Sequence, residues 1–265
     1  MPFCKHCCLN KILNGARILV TRPVHQAEKL SRLIEKSGGI AVRFPTLEIV
    51  ARTDAEQIKL TLENLDRCHW LIFISANAVN FALKANSGKI PSSKSVRFAA
   101  VGQSTAQAMR NAGLPVDLLP ENGYNSEALL EMPVLQQVEG QNILIVRGVG
   151  GRDQLATILR SRGANVDYLD VYKRIVPQSD NAVVVKLITQ QSLDVITVTS
   201  AEALQNLMLM FGEKNHKLLS LIPLVVVSDR IRCIAADLGF NRISVTNNPF
   251  DTAILEQVIT CVTGE

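Results

Sequence analysis

The sequence predicts an α/β protein of two similar three-layer domains, each a parallel sheet with helices on both faces. Three observations predict it. Short apolar runs alternate with stretches of helical period, the pattern of parallel strands covered on both sides. The chain has 265 residues, 47% of them hydrophobic, more than the roughly 100–150 residues of one domain and ample core for two. Each of four strand–helix units also occurs twice, in a permuted order.

Residues 1–15 carry no useful period and stand as an unassigned N-terminal extension. There Cys4-x-x-Cys7 and His6 have the spacing of half a metal site beside Cys8. His25, His69 and His216 form no ligand pair with a cysteine, so no metal is expected. The ordered chain is expected to start at Ala16-Arg17-Ile18-Leu19-Val20. Pro23 suits a first helical position, where its missing N–H costs nothing. Ala27, Leu30, Leu33 and Ile34 follow at helical spacing, Gly38-Gly39 stop the helix, and Ile40, Val42 and Phe44 alternate as a strand. The same unit returns at Ile143-Leu144-Ile145-Val146. A turn over 148–152 follows, then a helical face of Leu155, Ile158 and Leu159, a stop at Gly163 and a strand from Val166.

The second unit is a strand over Trp70–Ile74 running into Ser75-Ala76-Asn77 and a helix with Val79 and Leu83. Its counterpart is Val195–Val198, Thr199-Ser200-Ala201-Glu202, then Leu204, Leu207 and Met208; Thr199 and Glu202 have the spacing of a capping box. The third unit is Arg97–Gly102 leading into Ser104-Thr105 and a helix that ends at Gly113. It matches Leu224–Val227, Ser228 and a helix that ends at Gly239. The fourth is a strand over Val116–Pro120 and a helix from Ser126 to Leu130. It matches Ile243–Thr246, with Asn248 as N-cap and Pro249 in the first helical turn.

This order is explained if one domain is inserted after the first unit of the other. Residues 16–46 with 176–262 form domain 1, residues 52–170 form domain 2, and 47–51 and 171–175 form a two-stranded linker. Ligands of open α/β sheets lie beyond the carboxyl ends of the strands. Here those ends carry Ser, Thr, Asn and Gly turns that open helices, and helix N-termini favour anions. An anionic ligand in a cleft between the domains is therefore expected, although the same residues cap helices without any ligand.

Several function classes are excluded. The longest apolar run, Leu221–Val227, contains a proline and falls far short of the roughly 20 residues of a membrane span. The N-terminus has no apolar stretch of a secretory signal, so a cytoplasmic protein without membrane contact is expected. The net charge is +4, with basic residues scattered and aromatics at 5%, which argues against nucleic acid. Gly148-Val149-Gly150-Gly151-Arg152 follows a strand but matches neither a dinucleotide fingerprint nor a P-loop. No nucleophile elbow or zinc-protease motif is present, and the four histidines are isolated from one another.

Taken together, the motifs resemble the uroporphyrinogen-III synthase family over about 17–260. The resemblance rests on ILVTRP (18–23), Phe44-Pro45 with Glu48-Ile49, IFISANAV (72–79), AAVGQSTAQAM (99–109), and Asn125-Ser126-Glu127-Ala128-Leu129. ILIVRGVGGRDQLATILRSRGANV (143–166), DVYKRIVP (170–177), VTSAEAL (198–204), VVSDRI (226–231) and AADLGF (235–240) complete it. It implies the HemD-like fold: two similar α/β domains on a two-stranded linker, with the active site between them. It also implies a lyase that closes hydroxymethylbilane, inverts ring D and loses water, with no metal and no organic cofactor. A monomer in transient contact with hydroxymethylbilane synthase fits that reading. A non-catalytic two-domain binder of a polycarboxylate or other small anion is the alternative.

For a polycarboxylate, the candidate contacts are Ser75, Ala76, Asn77, Gln103, Ser104, Thr105, Asn125, Ser126, Thr199, Ser200 and Ser228, with Arg22, Arg147 and Arg152 as charged partners. Arg147 is equally suited to an internal carboxylate. Arg152 opens a helix, an unfavourable place for a cation unless an anion offsets the dipole. Tyr172 matches the family's linker tyrosine and would face the cleft, where a phenol is a weak general acid for the leaving hydroxyl. The alternative is a half-buried linker aromatic. Tyr124 lies beside the Asn125 turn, and Tyr168 is expected to pack. Where many relatives carry paired threonines in a turn of small residues, this chain has Val227-Ser228-Asp229-Arg230.

Overall fold

The computed structural model describes residues 12–91, 95–121, 123, 125–151 and 153–264. Cys4, His6, Cys7, Cys8, Tyr124 and Arg152 lie outside them. The chain divides into two units, residues 1–48 with 175–265 and residues 49–174.

The first unit begins with β1 (Arg17–Val20), α1 (Val24–Lys36) and β2 (Ile40–Arg43). Helix α1 buries Ala27, Leu30, Ser31 and Ile34, one face at helical spacing, and has Pro23 at its N-cap. It stops where Gly38 takes φ 84°, a conformation in which a side chain would be strained. The expected extension contributes to this unit: Leu13 is buried and its N–H donates to the Ser37 carbonyl. The chain then enters β3 (Glu48–Ala51), the edge strand of the other unit's sheet.

The second unit continues through α2 (Ala55–Glu63), β4 (Trp70–Phe73), α3 (Ala76–Ala85), β5 (Arg97–Ala100) and α4 (Gln103–Asn111). It ends with α5 (Ser126–Glu131), α6 (Pro133–Gln136), β6 (Asn142–Gly148), α7 (Gln154–Ser161) and β7 (Asn165–Ile175). The chain returns to the first unit with α8 (Ala182–Thr189), β8 (Val195–Val198), α9 (Ala201–Phe211) and α10 (Glu213–Leu219). There β9 (Leu224–Val226), α11 (Asp229–Asp237), β10 (Ile243–Val245) and α12 (Asp251–Thr263) follow.

The first sheet runs β10-β9-β8-β1-β2, all parallel. The second runs β3-β7-β6-β4-β5, with β7, β6, β4 and β5 parallel. Read from β2 and from β7, the two sheets place matching units in the same order: β2-β1-β8-β9 against β7-β6-β4-β5. Alternate residues of each central strand enter different cores, as strand geometry requires. Leu71 and Phe73 pack with α2, α3 and α4, whereas Trp70 and Ile72 pack with α5 and α7. In the first sheet Leu19 and Ile196 face α8, α9 and α11, whereas Ile18 and Val195 face α1 and α12. Each sheet is thus the middle of three layers. Among the described residues, no helix is long and apolar enough to cross a membrane.

Three local expectations are corrected. The strand over 116–120 reduces to one bridge between Ala99 and Leu118. Asp117 Oδ2 accepts the Phe98 N–H at 2.7 Å, a donor that a strand carbonyl would otherwise take, and Pro115 and Pro120 flank the segment. The capping box on Thr199 is replaced by Ser200, whose extended backbone (φ −150°) lets its Oγ accept from Ala203 N–H at 3.0 Å. Helix α12 starts after Phe250, later than expected, because Asn248 Oδ1 closes a turn on the Phe250 N–H.

Candidate active site

Parallel strands end at the same edge of their sheet, so the turns after β4, β5, β6, β8 and β9 gather there within each unit. Four of the expected residues cap helices at these ends. Ser75 accepts from Ala78 N–H at 3.1 Å, Asn125 from Ala128 N–H at 2.8 Å, and Ser228 from Ile231 N–H at 3.4 Å. Ser200 is the fourth. Each of these side-chain oxygens accepts one such bond, so the turns offer a ligand the remaining backbone N–H groups of the first helical turn and the protons of the serine hydroxyls. Ala76 and Asn77 lie in that turn of α3, half-buried. Gln103 and Ser104 open α4 at the surface, but Thr105 is 2% exposed and turns into the core instead. Thr199 is half-buried just before the Ser200 cap. Asp229, in the departing turn, is exposed and ion-paired with Arg232 at 2.8 Å.

In the second unit a cavity of about 380 Å³ opens at the carboxyl edge. Ile74, Val101, Ile145 and Leu155 supply apolar lining, and Asn125, Ser126, Arg147, Tyr168 and Arg174 the polar groups. The structure therefore brings Asn125, Ser126 and Arg147 together, as the sequence pattern alone did not require.

Two of the three candidate arginines are ion-paired within the protein. Arg147 Nη1 donates to Asp153 Oδ1 at 2.8 Å, and its Nε to Asp170 Oδ1 at 3.1 Å. Its guanidinium carbon stacks 3.4 Å from the Tyr168 ring centre. Asp153 accepts a further bond from Tyr168 Oη at 3.0 Å. The Arg147 guanidinium, then the Tyr168 hydroxyl, holds the Asp153 carboxyl below its usual range. Burial pushes the Tyr168 phenol up, and its bond to Asp153 adds to that. The Arg147 guanidinium is thus shared by two carboxylates while it lines the cavity. Arg22 is likewise ion-paired with Asp251 at the start of α12, both side chains 13% exposed. Arg152 lies outside the described residues.

Tyr172 lies in β7 opposite Gly148. It is 2% exposed, a member of the core that packs on α3. Its ring lies 5.5 Å from that of Phe81, and its Oη lies 3.3 Å from Ser75 Oγ. The phenol is thus held under the edge, and Ser75 stands between it and the α3 turn. The sequence left Arg147 open to an internal carboxylate without naming Asp153 or Asp170, and it gave no sign of the Tyr172–Ser75 contact. Residues 75 and 172 are far apart in sequence, and the only local signal was that each sits next to a strand end.

Two helix-covered, largely parallel sheets, with helix N-termini gathered at their carboxyl edges, define a two-unit α/β protein of the kind that binds ligands at strand ends. The family model for uroporphyrinogen-III synthase HemD matches residues 28–256. The uroporphyrinogen-III synthase of Escherichia coli (strain K12) is 32% identical over 243 residues, covering 90% of this chain and 98% of that protein. The chain belongs to the uroporphyrinogen-III synthase family. The Salmonella typhimurium enzyme of the same name shows the same identity and coverage. A mutant uroporphyrinogen III synthase from the extremely thermophilic bacterium Thermus thermophilus shares the fold at TM-score 0.64 and 17% identity, over 95% of this chain and 100% of that one. The uroporphyrinogen-III synthetase of Helicobacter pylori 26695 does so at TM-score 0.57 and 15% identity, over 93% and 99%.

Proposed function

We propose that this chain is a uroporphyrinogen-III synthase, a cyclising lyase that converts hydroxymethylbilane to uroporphyrinogen III. The observation that carries the reading is the match to the Escherichia coli relative over 98% of that protein's length. The pyrrole electrons of hydroxymethylbilane expel the terminal hydroxyl, leaving an azafulvene. The substituted carbon of ring D attacks it to form a spiro-pyrrolenine, and fragmentation and reclosure deliver the inverted ring. Without enzyme the unsubstituted carbon attacks and isomer I results, so the protein's main task is to hold the chain in the productive fold. Helix N-termini at the strand ends, such as Ser75-Ala76-Asn77 and Gln103-Ser104 in one unit and Thr199-Ser200 and Ser228 in the other, suit the substrate's carboxylates.

The leaving hydroxyl needs a proton. A serine hydroxyl has one proton and two lone pairs. Ser75 Oγ accepts from Ala78 N–H, and when it also accepts from Tyr172 Oη, its own proton is left to point at a ligand. We assign Tyr172 as the proton source acting through Ser75. Because the substrate closes unaided to isomer I, a brief path from hydroxymethylbilane synthase favours transient contact with that enzyme in the cytoplasm, and a monomer suffices for the reaction.

The test is to generate hydroxymethylbilane in situ, add the protein, oxidise the products and separate the isomers. Conversion to isomer III is expected. Isomer I alone from folded protein would overturn the enzyme reading and leave a polycarboxylate binder.

A further inference from the structure

Strand β7 does not keep step with β6. Arg147 pairs with Asp170, yet the next residue, Gly148, pairs with Tyr172, so one extra β7 residue is accommodated between them. The consequence follows from alternation. Tyr168 packs on the α5 and α7 face, while Leu169 and Val171 belong to the α2, α3 and α4 face. Strict alternation would return Tyr172 to the Tyr168 side. Instead Tyr172 joins Leu169 and Val171 in the core against α3.

Gly148 is the other half of the arrangement. A Cβ at Gly148 would overlap Tyr172 Cε2 and Cζ and stand 2.8 Å from Cδ2. Gly148 is not among the residues with positive φ, so glycine is needed here for room and not for backbone conformation. The ring cannot retreat, since Phe81 packs on it and Tyr172 is 2% exposed.

We propose that Gly148 and the β7 bulge form a positioning device for the proposed reaction: the bulge turns Tyr172 to the α3 face, and Gly148 admits its ring so that its hydroxyl reaches Ser75. The proposal rests on the functional reading above and names Gly148 as a positioning residue.

The experiment is a cycle of Gly148→Ala, Tyr172→Phe and the double variant, read as kcat, KM and the isomer III to isomer I ratio. Gly148→Ala should lower kcat about 10²-fold, the scale of a misplacement of about 1 Å, with KM little changed and isomer I rising. In the Tyr172→Phe background it should add almost nothing to the loss of kcat. A wild-type kcat and isomer ratio in Gly148→Ala would overturn the proposal, as would a full second loss in the double variant. A thermal cycle keeps the test independent of activity. Gly148→Ala should lower Tm, or prevent folding, in the wild-type background but not beside Tyr172→Leu, which removes the ring. An equal loss in both backgrounds would show that the ring is not what Gly148 accommodates. Isomer I alone from the wild type, with the thermal cycle as expected, would sink the functional reading and leave the packing device standing.

Discussion

The β1–β2 and β6–β7 pairs are matching units of the two sheets and end differently. β1 and β2 stay in step from Arg17 opposite Ile40 to Val20 opposite Arg43. β6 and β7 stay in step only as far as Arg147 opposite Asp170, then slip. The apolar patterns that open them, ILVTRP and ILIVRG, are nearly interchangeable. The difference teaches that apolar alternation chooses a strand's place in the sheet, while a single inserted residue chooses the face that a side chain takes. The arginine at the fifth position of each motif makes the same point. Arg22 is neutralised by Asp251 of α12, Arg147 by Asp153 and Asp170 beside its own strand. Equivalent positions reach the same internal outcome with unrelated partners.

The largest effect expected from breaking this comparison comes from the arginines. Arg22→Met and Arg147→Met should each cost about 1.5–3 kcal/mol, the scale of hydrogen bonds to a charged partner, measured by urea unfolding. KM for hydroxymethylbilane should barely move in either. A tenfold rise in KM would return that arginine to the ligand. Next come the caps. Ser75→Ala and Ser200→Ala should each cost about 1 kcal/mol, since both remove an equivalent N-cap. Only Ser75 also contacts Tyr172, so Ser75→Ala should lose more kcat; equal losses would erase the distinction between the units.

The smallest effect is a pH dependence. Asp153 is depressed in the folded state by Arg147 and then by Tyr168. A carboxylate depressed on folding adds stability above its unfolded pKa and loses it as pH falls through the folded value. The Asp153 side chain is 68% exposed, so solvent screens the gain. Arg147→Met should therefore only slightly flatten the fall in stability below about pH 4. An NMR titration of Asp153 that sits at the ordinary carboxylate value in the wild type would contradict the pairing.

What the sequence determined by itself is what neighbours a few residues apart decide. Helical spacing over Ala27, Leu30 and Ile34, the stop at Gly38, the Asn125 and Ser228 caps and the repeated strand–helix units were all legible, because their physics is local. Even locally, Thr199 yielded to Ser200 and Asn248 to a turn, since competing polar residues one or two positions apart differ only in backbone angles. Tertiary structure alone decided the rest. Arg22 meets Asp251 and Tyr172 meets Ser75 across long stretches of chain, Asp117 takes a donor from Phe98 and dissolves a strand, and Thr105 turns inward. Each depends on which elements the sheet order sets side by side, and on one bulge that no period of two or 3.6 encodes.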